Sequence, residues 1–118
     1  MLPDSNLGAA AEQRAVDWLI AQGVHVVARN YRSRFGEIDV VAQDGPTLAF
    51  IEVRSRSRRD FGGALASVTP AKQKKLIATA GLYLASLRRP PPCRFDVIAF
   101  DQQGAPAWLK NAFGMDGF

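Results

Sequence analysis

The stretch "GEIDVVAQDGPTLAFIEVRSR", residues 36 to 56, decides the fold. Its two apolar runs flank Asp44, Gly45 and Pro46, a turn cluster in which the carboxylate, the free φ and the fixed φ each favour chain reversal. "GEIDVVAQ" and "TLAFIEVRSR" are therefore expected to form a β-hairpin. A four-residue loop from Asp44 to Thr47 would pair Gln43 with Leu48 and set Asp39 opposite Glu52. A two-residue turn is expected to put Glu52 on the diagonal instead. Side chains alternate along a strand, so either register places the two acids on one face. Val41, Phe50 and Arg54 share that face, while Ile38, Val40, Ala42, Ala49, Ile51 and Val53 form an apolar surface on the other.

Working outward, "VHVVARNY" (24–31) is short and β-branched and reads as a strand. Residues 5 to 22 read as a helix, capped by Asp4 or Ser5, with Leu7, Ala11, Ala15, Trp18 and Leu19 at helical spacing and Gly23 as the stop. "SRRDFGGALASV" (57–68) has mixed composition and reads as a loop. Thr69 then caps a second helix with Pro70 in its first position, carrying Leu76, Ile77, Ala80 and Leu84 on one stripe and ending near Arg88 and Arg89. Pro90, Pro91 and Pro92 cannot continue it and lead into "RFDVIAFD", another strand. The late "WLKNAFGMDGF" reads as a short strand or turn. The order α-β-β-β-α-β predicts an α/β sandwich, a mixed sheet with helices packed against it, in one domain over 1–118.

Size and charge limit the function. With 118 residues and 47% hydrophobic content the chain can close a core of its own. A net charge of +4 suits a polyanionic partner. The single cysteine, Cys93, excludes an internal disulfide and a cysteine-based zinc site, and His25, the only histidine, gives no cluster for one. Without a leader-like N-terminal pattern or a long apolar run, a cytoplasmic protein is expected.

Like charges facing across a hairpin repel, so something must offset Asp39 against Glu52. A divalent cation such as Mg²⁺ or Mn²⁺ would do so, since carboxylates and water make a hard oxygen site. An arginine, Arg54 or Arg34, would also do so. Two helix residues have spacing that points them toward the sheet: Glu12, on the stripe of Val16, Leu19 and Ile20, and Gln73, on the stripe of Leu76, Ile77 and Ala80. Asp96 is expected to pair with an arginine.

The run "NYRSRFGEIDVVAQDGPTLAFIEVRSR" together with "VTPAKQKKL", "RFDVIAF" and "NAF" resembles the YraN-like (UPF0102) family of small bacterial proteins. That family looks like a branch of the nuclease superfamily named for its PD-(D/E)XK motif. The resemblance spans nearly the whole chain and implies a restriction endonuclease-like fold, similar to Holliday junction resolvases, which act as homodimers. It also implies that Asp39 and Glu52 are the motif acids holding a metal, that Glu12 assists them, and that Gln73 supports the site from the second helix.

Position 54 departs from the pattern, because Arg54 stands where the superfamily has lysine. Arginine can stabilise charge on a phosphate but cannot act as a base. A metal-bound water would lessen that need, and Lys72, Lys74 or Lys75 are candidate replacements for the ammonium. Arg56, Arg58 and Arg59 extend the basic charge beyond the strand, as phosphate contacts would require.

The sequence thus supports a metal-dependent nuclease acting on structured or branched DNA, with Asp39, Glu52, Arg54 and Gln73 in the catalytic site. Its alternatives are a catalytically impaired nucleic-acid-binding module and an interaction protein whose acids and arginines form a structural network.

Overall fold

A computed structural model describes residues 3–55, 61–101 and 104–114. The elements run α1 (Pro3–Ala21), β1 (His25–Arg32), β2 (Glu37–Asp44), β3 (Thr47–Ser55), α2 (Phe61–Ala66), α3 (Pro70–Ala85), β4 (Cys93–Phe100) and β5 (Pro106–Phe113). The strands make one mixed sheet in the order β1-β2-β3-β4-β5. The β3–β4 pair is parallel, and the chain crosses between them through α2 and α3. The expected α/β sandwich is present, with helices on both sides of the sheet.

Local chemistry sets the ends of the helices. α1 stops in a Schellman motif: Gly23 takes a positive φ of 82°, its N–H donates to Ile20 O, and the N–H of Val24 donates to Leu19 O. Thr69 caps α3 by accepting from the N–H of Lys72, with Pro70 in the first turn as expected. α3 ends at Ala85, a turn before Arg88. There Ser86 folds its hydroxyl back onto Tyr83 O at 2.6 Å.

The hairpin adopts the register with Gln43 opposite Leu48, but Asp44 also pairs with Thr47, leaving only Gly45 and Pro46 as the connection. Gly45 has φ 59° and proline follows it, the pattern of a type II′ turn, whose twist matches that of the strands. The tight turn therefore keeps the register that the sequence had assigned to a longer loop.

Two expectations about the elements are corrected. The segment read as a loop contains α2, a helix too short and too glycine-rich to show periodicity. It is held by Ala64 and Val68, both buried, and by Ser67 Oγ donating to Ala64 O. The C-terminal stretch is a full strand, β5, antiparallel to β4.

Both faces of the sheet are buried. On one, Val40, Ala42, Ala49, Ile51, Ile98 and Phe100 pack under Ala11, Ala15, Val16 and Leu19 of α1. On the other, Val41, Phe50, Phe95 and Val97 pack under Leu76 and Ala80 of α3. Ile38 belongs to this second cluster, not beside Val40 as strict alternation requires. The break has a cause next door: Asn30 on β1, between the pairs Arg29↔Val40 and Tyr31↔Ile38, has φ 51°. This left-handed residue turns the pleat over at the level of Asp39.

Candidate metal and phosphate site

The break at Asp39 opens a cleft at the end of the hairpin between α1 and α3. The pairing of β2 with β3 runs from Asp44↔Thr47 to Val40↔Ile51, one step short of Asp39 and Glu52. Beyond it the Asp39 carboxylate takes over, accepting a hydrogen bond from the N–H of Val53 at 2.9 Å.

Two hollows share the Glu52–Arg54 segment as their divide. The larger, about 280 Å³, lies toward α1 and is lined by Glu12, Asp39, Glu52 and Arg54 among others. The smaller, about 150 Å³, lies toward α3 and is lined by Glu37, Glu52, Arg54, Lys72, Lys75 and Leu76.

Beside the first hollow three carboxylates from α1 and β2 converge, Glu12 and Asp39 from its own lining and Glu37 from the lining of the second. One oxygen from each of Glu12, Glu37 and Asp39 lies within 4.8 Å of the other two. Desolvation and the charge of Asp39 raise the Glu12 carboxyl above its ordinary range, and Glu37 adds to the effect. The Asp39 carboxyl is raised too, chiefly by burial, against the pull of the Val53 N–H and of Arg54. Glu52 is raised furthest, to about 8, by burial first and then by the Asp39 charge. Such a cluster of half-buried acids fits a divalent cation, which would supply the positive charge they lack.

Arg54 supplies part of that charge. Its Nη2 donates to Glu52 Oε2 at 3.0 Å, while its Nε is buried with no hydrogen-bond partner among the described residues. At neutral pH burial and Asp39 outweigh this one guanidinium, so Glu52 largely keeps its proton.

The residues singled out in the sequence fare differently. Glu12, Asp39, Glu52 and Arg54 all border the cleft. Lys72 and Lys75 reach it because they share a helical face with Leu76, whereas Lys74 does not line either hollow. Gln73 spends its amide on Val68 O at 2.9 Å, bracing the α2–α3 corner. Arg56, Arg58 and Arg59 lie outside the described residues. Asp96 pairs with Arg94 as expected, at 3.0 Å. Sequence reasoning missed Glu37, whose carboxylate lines the α3-side hollow yet has an oxygen within 4.8 Å of those of Glu12 and Asp39.

Comparison with known proteins gives the family. The profile of the uncharacterised protein family UPF0102 matches residues 11–100. A UPF0102 protein of Cupriavidus necator is 56% identical over 111 residues, 92% of this chain and 83% of its own. One from Janthinobacterium sp. (strain Marseille) is 53% identical over 105 residues, covering 89% and 85%. Another, from Nitrosomonas eutropha, is 48% identical over 113 residues, covering 96% and 97%. The chain belongs to the UPF0102 family.

Proposed function

We propose that this UPF0102 protein is a metal-dependent nuclease of the PD-(D/E)XK type that hydrolyses phosphodiesters in structured or branched DNA. One observation carries the reading: Glu12, Glu37 and Asp39 converge within 4.8 Å, next to a hollow in which Lys72 and Lys75 share the wall with Glu37, Glu52 and Arg54. A cation-seeking cluster thus adjoins an anion-seeking one.

Glu12, Glu37 and Asp39 would hold Mg²⁺ or Mn²⁺, with Glu52 beside them. The bound ion would supply positive charge and a water of lowered pKa. Lys72 and Lys75 hold the phosphate backbone against the α3 side, and Arg54, between the hollows, stabilises charge that develops on the scissile phosphate. Glu52, whose carboxyl is pushed up to about 8 by burial and the Asp39 charge, would stand beside the ion, whose charge would favour its carboxylate form. Among the described residues no helix is long and apolar enough to cross a membrane.

A second reading, a nucleic-acid-binding module impaired in catalysis, is favoured by the 3.0 Å contact from Arg54 to Glu52. That contact engages the arginine with a site carboxylate and leaves no base where the motif lysine would be.

Cleavage of a labelled four-way DNA junction with Mn²⁺ tests both, using wild type, Asp39→Ala and Arg54→Lys. The nuclease reading expects wild-type cleavage that Asp39→Ala abolishes, and calorimetric Mn²⁺ binding lost with it. Activity confined to Arg54→Lys would mark a degenerate site. No Mn²⁺ binding by the wild type would sink the metal-dependent reading.

A further inference from the structure

The turn from β1 to β2, Ser33–Gly36, presents a large apolar side chain next to the cleft. Phe35 is 38% exposed, and the Arg34 guanidinium lies over its ring, 4.8 Å from the centroid. The turn is pinned. Its Ser33 N–H donates to Gly36 O at 2.8 Å and its Phe35 N–H to Ser33 Oγ at 3.0 Å. The same Ser33 hydroxyl is 2.9 Å from the hydroxyl of Thr79, a fully buried residue of α3.

The position of the ring follows from the chain. Glu37, two residues on, is one of the three converging carboxylates and also lines the hollow that holds Lys72 and Lys75. Two residues of backbone span at most about 7 Å. On the other side, a Cβ placed at Gly36 would sit 3.5 Å from Lys75 Cβ, so the turn abuts the basic rim itself. An exposed aromatic and a guanidinium plane thus stand on a turn whose backbone abuts the helix face that carries Lys72 and Lys75.

We infer that Phe35 and Arg34 form a stacking platform for an unpaired base, so that the site prefers the boundary between duplex and single strand over continuous duplex. This rests on the nucleic-acid reading above. The chemistry selects a base over a peptide: flat π faces stack on aromatic rings and guanidinium planes, and the adjacent lysines suit the phosphates such a base carries. Within a duplex both faces of each base are already stacked, so only a splayed base can use the platform. The hydroxyl contact to Thr79 keeps the platform in place relative to α3.

Fluorescence anisotropy with a forked DNA and a fully paired duplex of equal length, in Ca²⁺, tests the inference. Wild type should favour the fork, Phe35→Ala should lose about tenfold on the fork with little change on duplex, and Phe35→Trp should retain the preference. A 2-aminopurine at the branch should be quenched by wild type but not by Phe35→Ala. Circular dichroism establishes that each variant is folded. Wild-type binding to neither DNA would overturn the nucleic-acid reading on which this rests. Fork binding and quenching that survive Phe35→Ala would overturn the platform alone, as would an equal loss on fork and duplex.

Discussion

The sheet carries two groups of acids beside basic side chains, and they are built to opposite specifications. Asp44 closes β2 at the turn, where Arg94 and Lys110 donate to it at 2.7 and 3.1 Å. Asp96, fully buried, accepts from Arg94, from Trp108 Nε1 at 2.8 Å and from the N–H of Asn111 at 2.9 Å. The arginine beside Asp44 holds its carboxyl below the ordinary range. At the other end of β2, Glu12, Asp39 and Glu52 are all raised. Burial alone does not distinguish the two groups, since Asp96 is the more buried. The balance of partners does: each acid of the first group accepts from two or more donors, while in the second burial and mutual repulsion outweigh the cations at hand, Arg54 on Glu52, Arg32 on Glu37 and Arg29 near Glu12. A satisfied network stabilises the fold, and an undersupplied one is poised for a charge from outside.

The strongest way to break this contrast is Asp96→Ala. Removing the carboxylate strands Arg94 Nε, Trp108 Nε1 and the Asn111 N–H, and should cost about 3–5 kcal/mol in urea unfolding. A loss below about 1 kcal/mol would mean that the network contributes little.

Glu52→Gln should have the opposite sign. Folded Glu52 keeps its proton to about pH 8, whereas its ordinary value is 4.5. The stability it contributes is therefore complete below pH 4.5 and is lost as pH rises to about 8. Above that pH the amide variant should be more stable than the cation-free wild type by about 1–3 kcal/mol, with the difference vanishing toward pH 4. Unfolding midpoints across pH check this. A variant destabilised at every pH would make the cleft a second structural network.

The smallest effect is expected at the rim. Lys72→Ala with Lys75→Ala should leave stability within about 0.5 kcal/mol, because both lysines are exposed. It should lower the salt slope of DNA binding by about 0.9 for each phosphate contact removed. An unchanged slope would take the two lysines out of the interface.

Much of this was legible in the chain. Asp44, Gly45 and Pro46 named the hairpin, Thr69 and Pro70 the start of α3, and Gly23 the end of α1, because each signal acts within a few residues. Period-2 alternation put Glu52 and Arg54 on one side of β3. The same rule misplaced Ile38, since the left-handed Asn30 that breaks the pleat sits on a different strand. Glu37 meets Glu12 only through the packing of α1 on the sheet, and α2 gave no periodicity to read.

The sequence by itself determined the two long helices, the hairpin and the pairing of Asp39 with Glu52 as candidate acids, because turn chemistry, capping and side-chain period are local properties. Only the tertiary structure decided which carboxylates are satisfied. Asp96 and Glu52 each lie two residues from an arginine in sequence, Arg94 and Arg54. Asp96 gains Trp108 and Asn111 from β5, while Glu52 gains the repulsion of Asp39 from β2. Whether a buried charge is stabilising or waiting for a counter-ion depends on neighbours that only folding brings within a few ångströms.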